Sequence, residues 1–172
     1  MKLRILILGT TLLANFLLMA GGIITPTDSI KIMGKIKNGK VFSLEDLDTF
    51  PKTVIKDQII YNHKGEVKDT LIKMKGISLK TILASIQYLN NNPKELNEFY
   101  FVFVASDGYK VVFSWNEIYN TEAGNNFFIV TEIEGKQLKY LDQRIAFIST
   151  TDLKTGRRYI KGLSKIEVKQ IE

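Results

Sequence analysis

FYFVFVASDGYKVVF, Phe99–Phe113, carries the strongest β-hairpin signal in the chain. Phe99 to Ala105 is an apolar run of aromatic and β-branched residues, the composition that suits a pleated, half-buried surface. Asp107-Gly108 is a hairpin-type turn, because glycine reaches backbone angles that other residues avoid. Tyr109 to Phe113 returns as the partner strand. A β-hairpin therefore anchors the chain.

Outward from the hairpin, strands recur on both sides. Toward the C-terminus, Ser114-Trp-Asn-Glu117 has capping-box spacing and opens a short helix. Gly124-Asn125-Asn126 reads as a loop, and Phe127 to Ile133 as a strand turning at Glu134-Gly135. Arg144 to Thr150 and Lys165 to Ile171 are further strands, with Asp152 to Gly156 between them. Toward the N-terminus, Ser78 to Leu89 carries apolar residues at 79, 82, 83, 86 and 89, which is helical spacing. Asn90-Asn91-Asn92-Pro93 ends it. Thr53 to Tyr61 and Glu66 to Met74 read as two strands around the turn Asn62-His63-Lys64-Gly65. Ser43-Leu-Glu-Asp46 opens a short helix ending before Pro51, and Ile30 to Ile36 is a strand broken at Asn38-Gly39. Many strands with three short helices, in no βαβ alternation, give the α+β class: a single mixed or antiparallel β domain.

The chain begins MKLRILILGTTLLANFLLMAGG. Lys2 and Arg4 precede an uncharged apolar run from Ile5 to Ala20, and Ala20-Gly21-Gly22 offers small residues for cleavage. This is the layout of a secretory signal peptide over 1–22, followed by a linker at 23–29 and one domain at 30–172. A retained membrane anchor is the competing reading, since the uncharged stretch runs on to Thr27 and about 20 apolar residues span a bilayer. A lipid-modified cysteine is excluded, for there is no cysteine. The expected location is the periplasm or cell envelope. Without cysteine the domain tolerates an oxidising compartment without disulfides.

Composition removes whole classes of chemistry. Zero cysteines and one histidine exclude thiolate ligands, cysteine nucleophiles, redox pairs and multi-histidine metal sites. There is no P-loop, no GxGxxG, no Ser-His-Asp set and no spaced carboxylate pair for acid–base work. The formal net charge of +6 becomes +4 without Lys2 and Arg4, with 22 basic against 18 acidic residues. Those charges are interleaved, as on a solvated surface, which argues against nucleic acid. The most informative polar stretch is Thr155-Gly-Arg-Arg-Tyr-Ile-Lys-Gly162. If extended, it places Arg158 and Ile160 on one face and Arg157, Tyr159 and Lys161 on the other. Arginine forks suit phosphate or planar heterocycles; a basic surface hairpin is the plain alternative.

The order of these pieces resembles the molybdopterin-binding domain of the sulfite oxidase family. The matching segments are Gly76-Ile-Ser-Leu-Lys-Thr-Ile-Leu83, Ala105-Ser-Asp-Gly-Tyr109 with Val111-Val-Phe-Ser114 and Glu117-Ile118, Glu134-Gly-Lys-Gln-Leu138, Arg144, Arg158-Tyr-Ile-Lys161 and Ile166-Glu-Val168. They run in family order from about Ile30 onward. The family's enzymes hold molybdenum through one cysteine, in a region that corresponds here to Tyr61-Asn-His-Lys-Gly65. No cysteine stands there. The leader also lacks the twin-arginine pair that export of a folded, cofactor-loaded protein requires. The resemblance thus points to a small, exported, cysteine-free subset that binds a pterin without catalysis. Some members of that subset are thought to sense it for a membrane-bound signalling partner. Two alternatives stand beside it: a molybdopterin-dependent oxidoreductase with a non-cysteine ligand, and an interaction module with a vestigial pocket.

A pterin is a flat, polar bicycle with a guanidine-like edge. It wants an aromatic or guanidinium plane to stack on and a carboxylate or carbonyl for its amino edge. The stacking candidates are Trp115, Tyr109 and Tyr159. The polar candidates are Arg158, Lys161, Arg144, Asp107, Asn116 and Glu117, of which Arg158 and Lys161 match the family segment that meets the cofactor. Each has a structural alternative: Asp107 makes a turn, Glu117 completes a cap, Tyr109 and Trp115 enter the core, Arg144 lies on a strand surface.

Overall fold

The computed structural model describes residues 24–172; the expected signal peptide lies outside the described residues. Within these residues thirteen strands and three short α-helices follow one another. In order they are β1 (Ser29–Gly34), β2 (Lys40–Ser43), α1 (Leu44–Thr49), β3 (Thr53–Ile55), β4 (Gln58–Tyr61), β5 (Val67–Leu71), β6 (Met74–Ser78), α2 (Leu79–Leu83), β7 (Phe99–Ala105), β8 (Lys110–Ser114), α3 (Trp115–Tyr119), β9 (Phe127–Ile133), β10 (Lys136–Gln137), β11 (Ala146–Ser149), β12 (Ile160–Lys161) and β13 (Leu163–Gln170). Among the described residues four short 3₁₀ segments fill connections, the last at Thr155–Arg157. The molecule is mostly β with a few short helices, as the sequence predicts.

The strands make two sheets and a ribbon. One sheet has the order β2-β1-β13-β7-β8; the other has the order β12-β11-β9-β6-β3, with β10 added to β9. β4 and β5 pair only with each other. All neighbours are antiparallel except β1 and β13.

Burial follows from side-chain alternation along β9 and β11. Phe127, Ile129 and Phe147 point to the main core, shared with Phe101, Phe103, Phe113 and Ile166 of the first sheet. Their neighbours Phe128, Val130, Ala146 and Ile148 point the other way, into a second cluster with Ile60 and Leu71 of the ribbon. Both faces of the central strands are thus covered, which is why Phe127 to Val130 is an unbroken apolar run. In the main core Phe113 sits 5.1 Å from both Phe127 and Phe147, in edge-on geometry that favours aromatic pairs.

The ribbon marks the first departure from the sequence reading. Thr53 to Tyr61 and Glu66 to Met74 were each expected as one strand, but each breaks. The breaks fall at Lys56-Asp57 and Ile72-Lys73. Lys73 takes a left-handed backbone with φ 51°, and its N–H donates to Asp57 Oδ1 at 2.9 Å. The inner halves, β3 and β6, stay in the second sheet; the outer halves swing over it as the ribbon.

Two further differences are local. The helix expected over Ser78 to Leu89 ends at Leu83. Beyond it the backbone turns extended: Lys37 N–H donates to Gln87 O and Leu89 N–H to Lys35 O. The Tyr88 ring meets Phe99 and Phe101 edge-on, each at 6.0 Å. Residues 24–28 of the expected linker also pack on the domain. Thr25 N–H donates to Ser106 Oγ at 3.0 Å, and Thr27 bridges to Arg144. Among the described residues no helix is long and apolar enough to cross a membrane.

Candidate functional site

The β7–β8 turn closes over a cavity of about 370 Å³. A volume of this size falls at the small end of ligand clefts, roughly 300–1,000 Å³. One wall is the turn itself, with Asp107 and Tyr109. The second is the ribbon, with Ile60, Lys68 and Asp69. The third is the segment Gly156–Lys161, with Tyr159 and Lys161, and Ile24 lies along the edge.

Local chemistry shapes each wall. At the turn, Asp107 Oδ1 accepts the Tyr109 N–H at 2.9 Å and Gly108 has φ 85°. That Asx turn holds the phenol of Tyr109 over the third wall, where its hydroxyl donates to Arg157 O at 2.6 Å. Thr155 ties the third wall to the ribbon. Its hydroxyl donates to Ile59 O at 2.7 Å and accepts the Tyr61 N–H at 3.0 Å, standing in for a ladder rung on the β4 edge. Gly156 makes this approach possible: a Cβ there would lie 2.3 Å from Tyr61 O.

The extended reading of this segment holds only at its end: Thr155–Arg157 is a 3₁₀ turn capped by Arg158, and β12 is Ile160–Lys161 alone. Tyr159 and Lys161 face the cavity, and Lys161 Nζ sits 5.3 Å from the centre of the Tyr159 ring. Burial pushes the Tyr159 phenol well above the usual tyrosine range, and nearby Asp69 pushes it further, so it remains a neutral donor. Lys68, Lys161, Asp69 and Asp107 form no ion pair within 4.0 Å among the described residues. Two cations and two carboxylates therefore face the space uncommitted to each other.

Arg158 points the other way. Its Nε donates to Asp152 Oδ2 at 2.6 Å, a second nitrogen bonds Asp152 Oδ1, and the third bonds Glu117 Oε1. The guanidinium lies 4.9 Å from the Phe113 ring centre and 5.4 Å from that of Phe127. Its hydrogen bonds to Asp152, reinforced by Glu117, hold its pKa above even the usual arginine value, against the opposing effect of burial. Glu117 explains why the expected capping box is only half made. The Ser114 hydroxyl accepts the Glu117 N–H at 3.0 Å, but the Glu117 carboxylate reaches Arg158 instead of returning to the cap.

Of the nine residues singled out from the sequence, four converge on the cavity: Asp107, Tyr109, Tyr159 and Lys161. Five lie elsewhere. Arg158 and Glu117 belong to the carboxylate fork just described. Asn116 bonds Asn97. Trp115 lies against Tyr119 at 4.8 Å, with its indole N–H buried and without a partner among the described residues. Arg144, with φ 51°, pairs with Asp28. Lys68 and Asp69 were not foreseen. Their only signal is a charged pair inside an otherwise strand-like run.

The resemblance implies molybdopterin, so the donor set must be tested against it. The region where the family places its metal-binding cysteine is the β4–β5 turn. There Asn62 Oδ1 accepts the N–H groups of Lys64 and Glu66 and is consumed by the turn. No group of three His, Asp or Glu side chains able to hold a metal occurs among the described residues. The cavity instead offers phenols, carboxylates and ammonium groups. They do not fit a metal held by a soft thiolate.

No family model matches the sequence, and no curated protein matches it. Among solved structures, the chain is similar to the sulfane dehydrogenase SoxCD from Paracoccus pantotrophus, with a TM-score of 0.58 and 14% sequence identity. The match covers 84% of this chain and 39% of that one, so this chain spans about two fifths of its neighbour's length. At that identity the likeness is one of fold. It supports, broadly, the sulfite oxidase-type architecture that the order of sequence motifs resembles.

Proposed function

We propose that this chain is an exported, non-enzymatic pterin-binding protein. The observation that carries the reading is the cavity of about 370 Å³, where two tyrosines meet two carboxylates and two lysines. The Tyr109 and Tyr159 rings offer flat apolar surface to a bicyclic heterocycle. Asp69 and Asp107 offer acceptors to its amino edge, and Lys161 and the neutral Tyr159 hydroxyl offer donors to its carbonyl and ring nitrogens. The missing cysteine supports binding over molybdenum chemistry. The signal-type leader supports a site outside the cytoplasm, where a membrane signalling partner would read the liganded state.

The test is to purify the full chain from its host in mild detergent and examine it for a bound fluorescent pterin, then titrate pterins calorimetrically. A pterin that co-purifies, or binds one to one in the micromolar range, is expected. A protein that arrives empty and gives no heat with added pterins overturns the proposal.

A further inference from the structure

A second cavity, of about 270 Å³, adjoins the first, and the two share Asp69, Tyr159 and Lys161 as a common rim. It lies between the ribbon and the β9–β10 turn, with Tyr140, Gln143 and the charges Glu134, Lys136 and Asp142 around it. A substituent on a ring seated in the first cavity would cross the rim into this space. The chemistry beyond the rim therefore determines what that substituent can be.

Its charges are out of balance. Counting the rim, three carboxylates (Asp69, Glu134 and Asp142) face two lysines, Lys136 and Lys161. None of the five makes an ion pair within 4.0 Å among the described residues. A phosphate dianion entering here meets an excess of its own sign at short range, which opposes binding. No arginine, the side chain whose fork suits phosphate, is among the residues lining this space, and Arg158 is committed to Asp152 and Glu117. Hydroxyl groups suit the same lining, since each donates to a carboxylate and accepts from a lysine or amide.

Resting on the pterin reading, we infer that the ligand is a pterin bearing an uncharged, hydroxylated tail, seated in the second cavity, and that its phosphate ester is discriminated against. The experiment titrates the full chain with three probes: pterin without a tail, neopterin with its trihydroxypropyl tail, and neopterin phosphate. Neopterin should bind about tenfold tighter than the tail-less ring and about fivefold tighter than the phosphate ester, worth about one good hydrogen bond and one screened charge contact respectively. The penalty on the ester should shrink at high salt, because Glu134 and Asp142 are exposed. The double substitution Glu134→Gln, Asp142→Asn should raise affinity for the ester and leave the tail-less ring unchanged. Equal binding of all three probes overturns the tail site while leaving the pterin reading intact. An ester that binds tightest also overturns it, and turns the second cavity into an anion site. If none binds, both readings fail together.

Discussion

Replacing Arg158 with alanine separates two roles for the residue that the sequence could not. In the structure its side chain is 24% exposed, and it holds Asp152, which is 9% exposed, and Glu117, which is 31% exposed. A charge-assisted hydrogen bond is worth about 1.5–3 kcal/mol, and removing one partner of a buried pair costs about 3–5 kcal/mol. The cluster is partly wetted, and Asp152 keeps a bond from the Ser149 hydroxyl at 2.6 Å. Both facts discount the loss. Cation–π contact with Phe113 and Phe127 adds back about 0.5–1 kcal/mol. The net expectation is a destabilisation of about 2–4 kcal/mol. With a urea slope of about 2 kcal/mol per molar, the denaturation midpoint should fall by about 1–2 M. Arg158→Lys keeps the charge without the fork and should lie between. In double-mutant cycles the coupling of Arg158 to Asp152 should exceed that to Glu117, because Asp152 is the more buried partner and takes two bonds. The assay is urea unfolding followed by the fluorescence of Trp115, with pterin titration under native conditions. An unchanged midpoint together with lost pterin affinity would place the guanidinium against the ligand and exclude a structural role for the fork.

Other perturbations probe the cavity wall and the outer sheet face. Gly156→Ala puts a methyl 2.3 Å from Tyr61 O, so the third wall must part from the ribbon; a loss of about 1–3 kcal/mol in urea unfolding is expected, with weaker pterin binding. Glu167 is held below the usual glutamate range chiefly by its bond from Lys165, with a smaller contribution from Lys169 and burial opposing. A carboxylate depressed in the folded state stabilises the protein above its ordinary range, and that contribution is lost as pH falls through the depressed value. Glu167→Gln should therefore flatten the acid limb of the melting temperature against pH, and converge with the parent at low pH. A parallel offset at every pH would contradict that assignment.

How much could be read in advance depended on whether a segment's structure was decided locally. The Phe99–Phe113 hairpin and the strand Phe127–Ile133 were legible because composition and turn chemistry agree there with the tertiary environment. The caps at Ser43 and Ser114 were legible for the same reason; Ser43 makes the full reciprocal box with Asp46. The breaks that create the ribbon were not. They depend on Asp57 meeting Lys73, 16 residues away in sequence, within strands whose pattern is otherwise continuous. Helical spacing over Ser78–Leu89 was overridden by the pairing of residues 35–37 with 87–89.

The site divides along the same line. The Asp-Gly-Tyr turn and the Tyr159/Lys161 face follow from short-range rules of turns and alternation, and both line the cavity. Arg158 carried the right chemistry for a ligand, but two carboxylates brought in by tertiary structure engage it. Asp69 reaches the cavity only because the ribbon folds over, so the charged pair Lys68-Asp69 does not by itself mark a site.

The space between the Asp107–Tyr109 turn, the Lys68–Asp69 edge and Tyr159 is the proposed pterin site. Heteronuclear amide NMR of the full chain during pterin addition tests it most directly. With the tail-less ring, saturable shifts confined to residues 68–69, 105–109 and 156–162 are expected, all abolished by Tyr109→Ala in a variant that remains folded. Shifts centred on Trp115, Glu117 and Asp152 with the cavity silent, or no shifts at millimolar pterin, would contradict that placement.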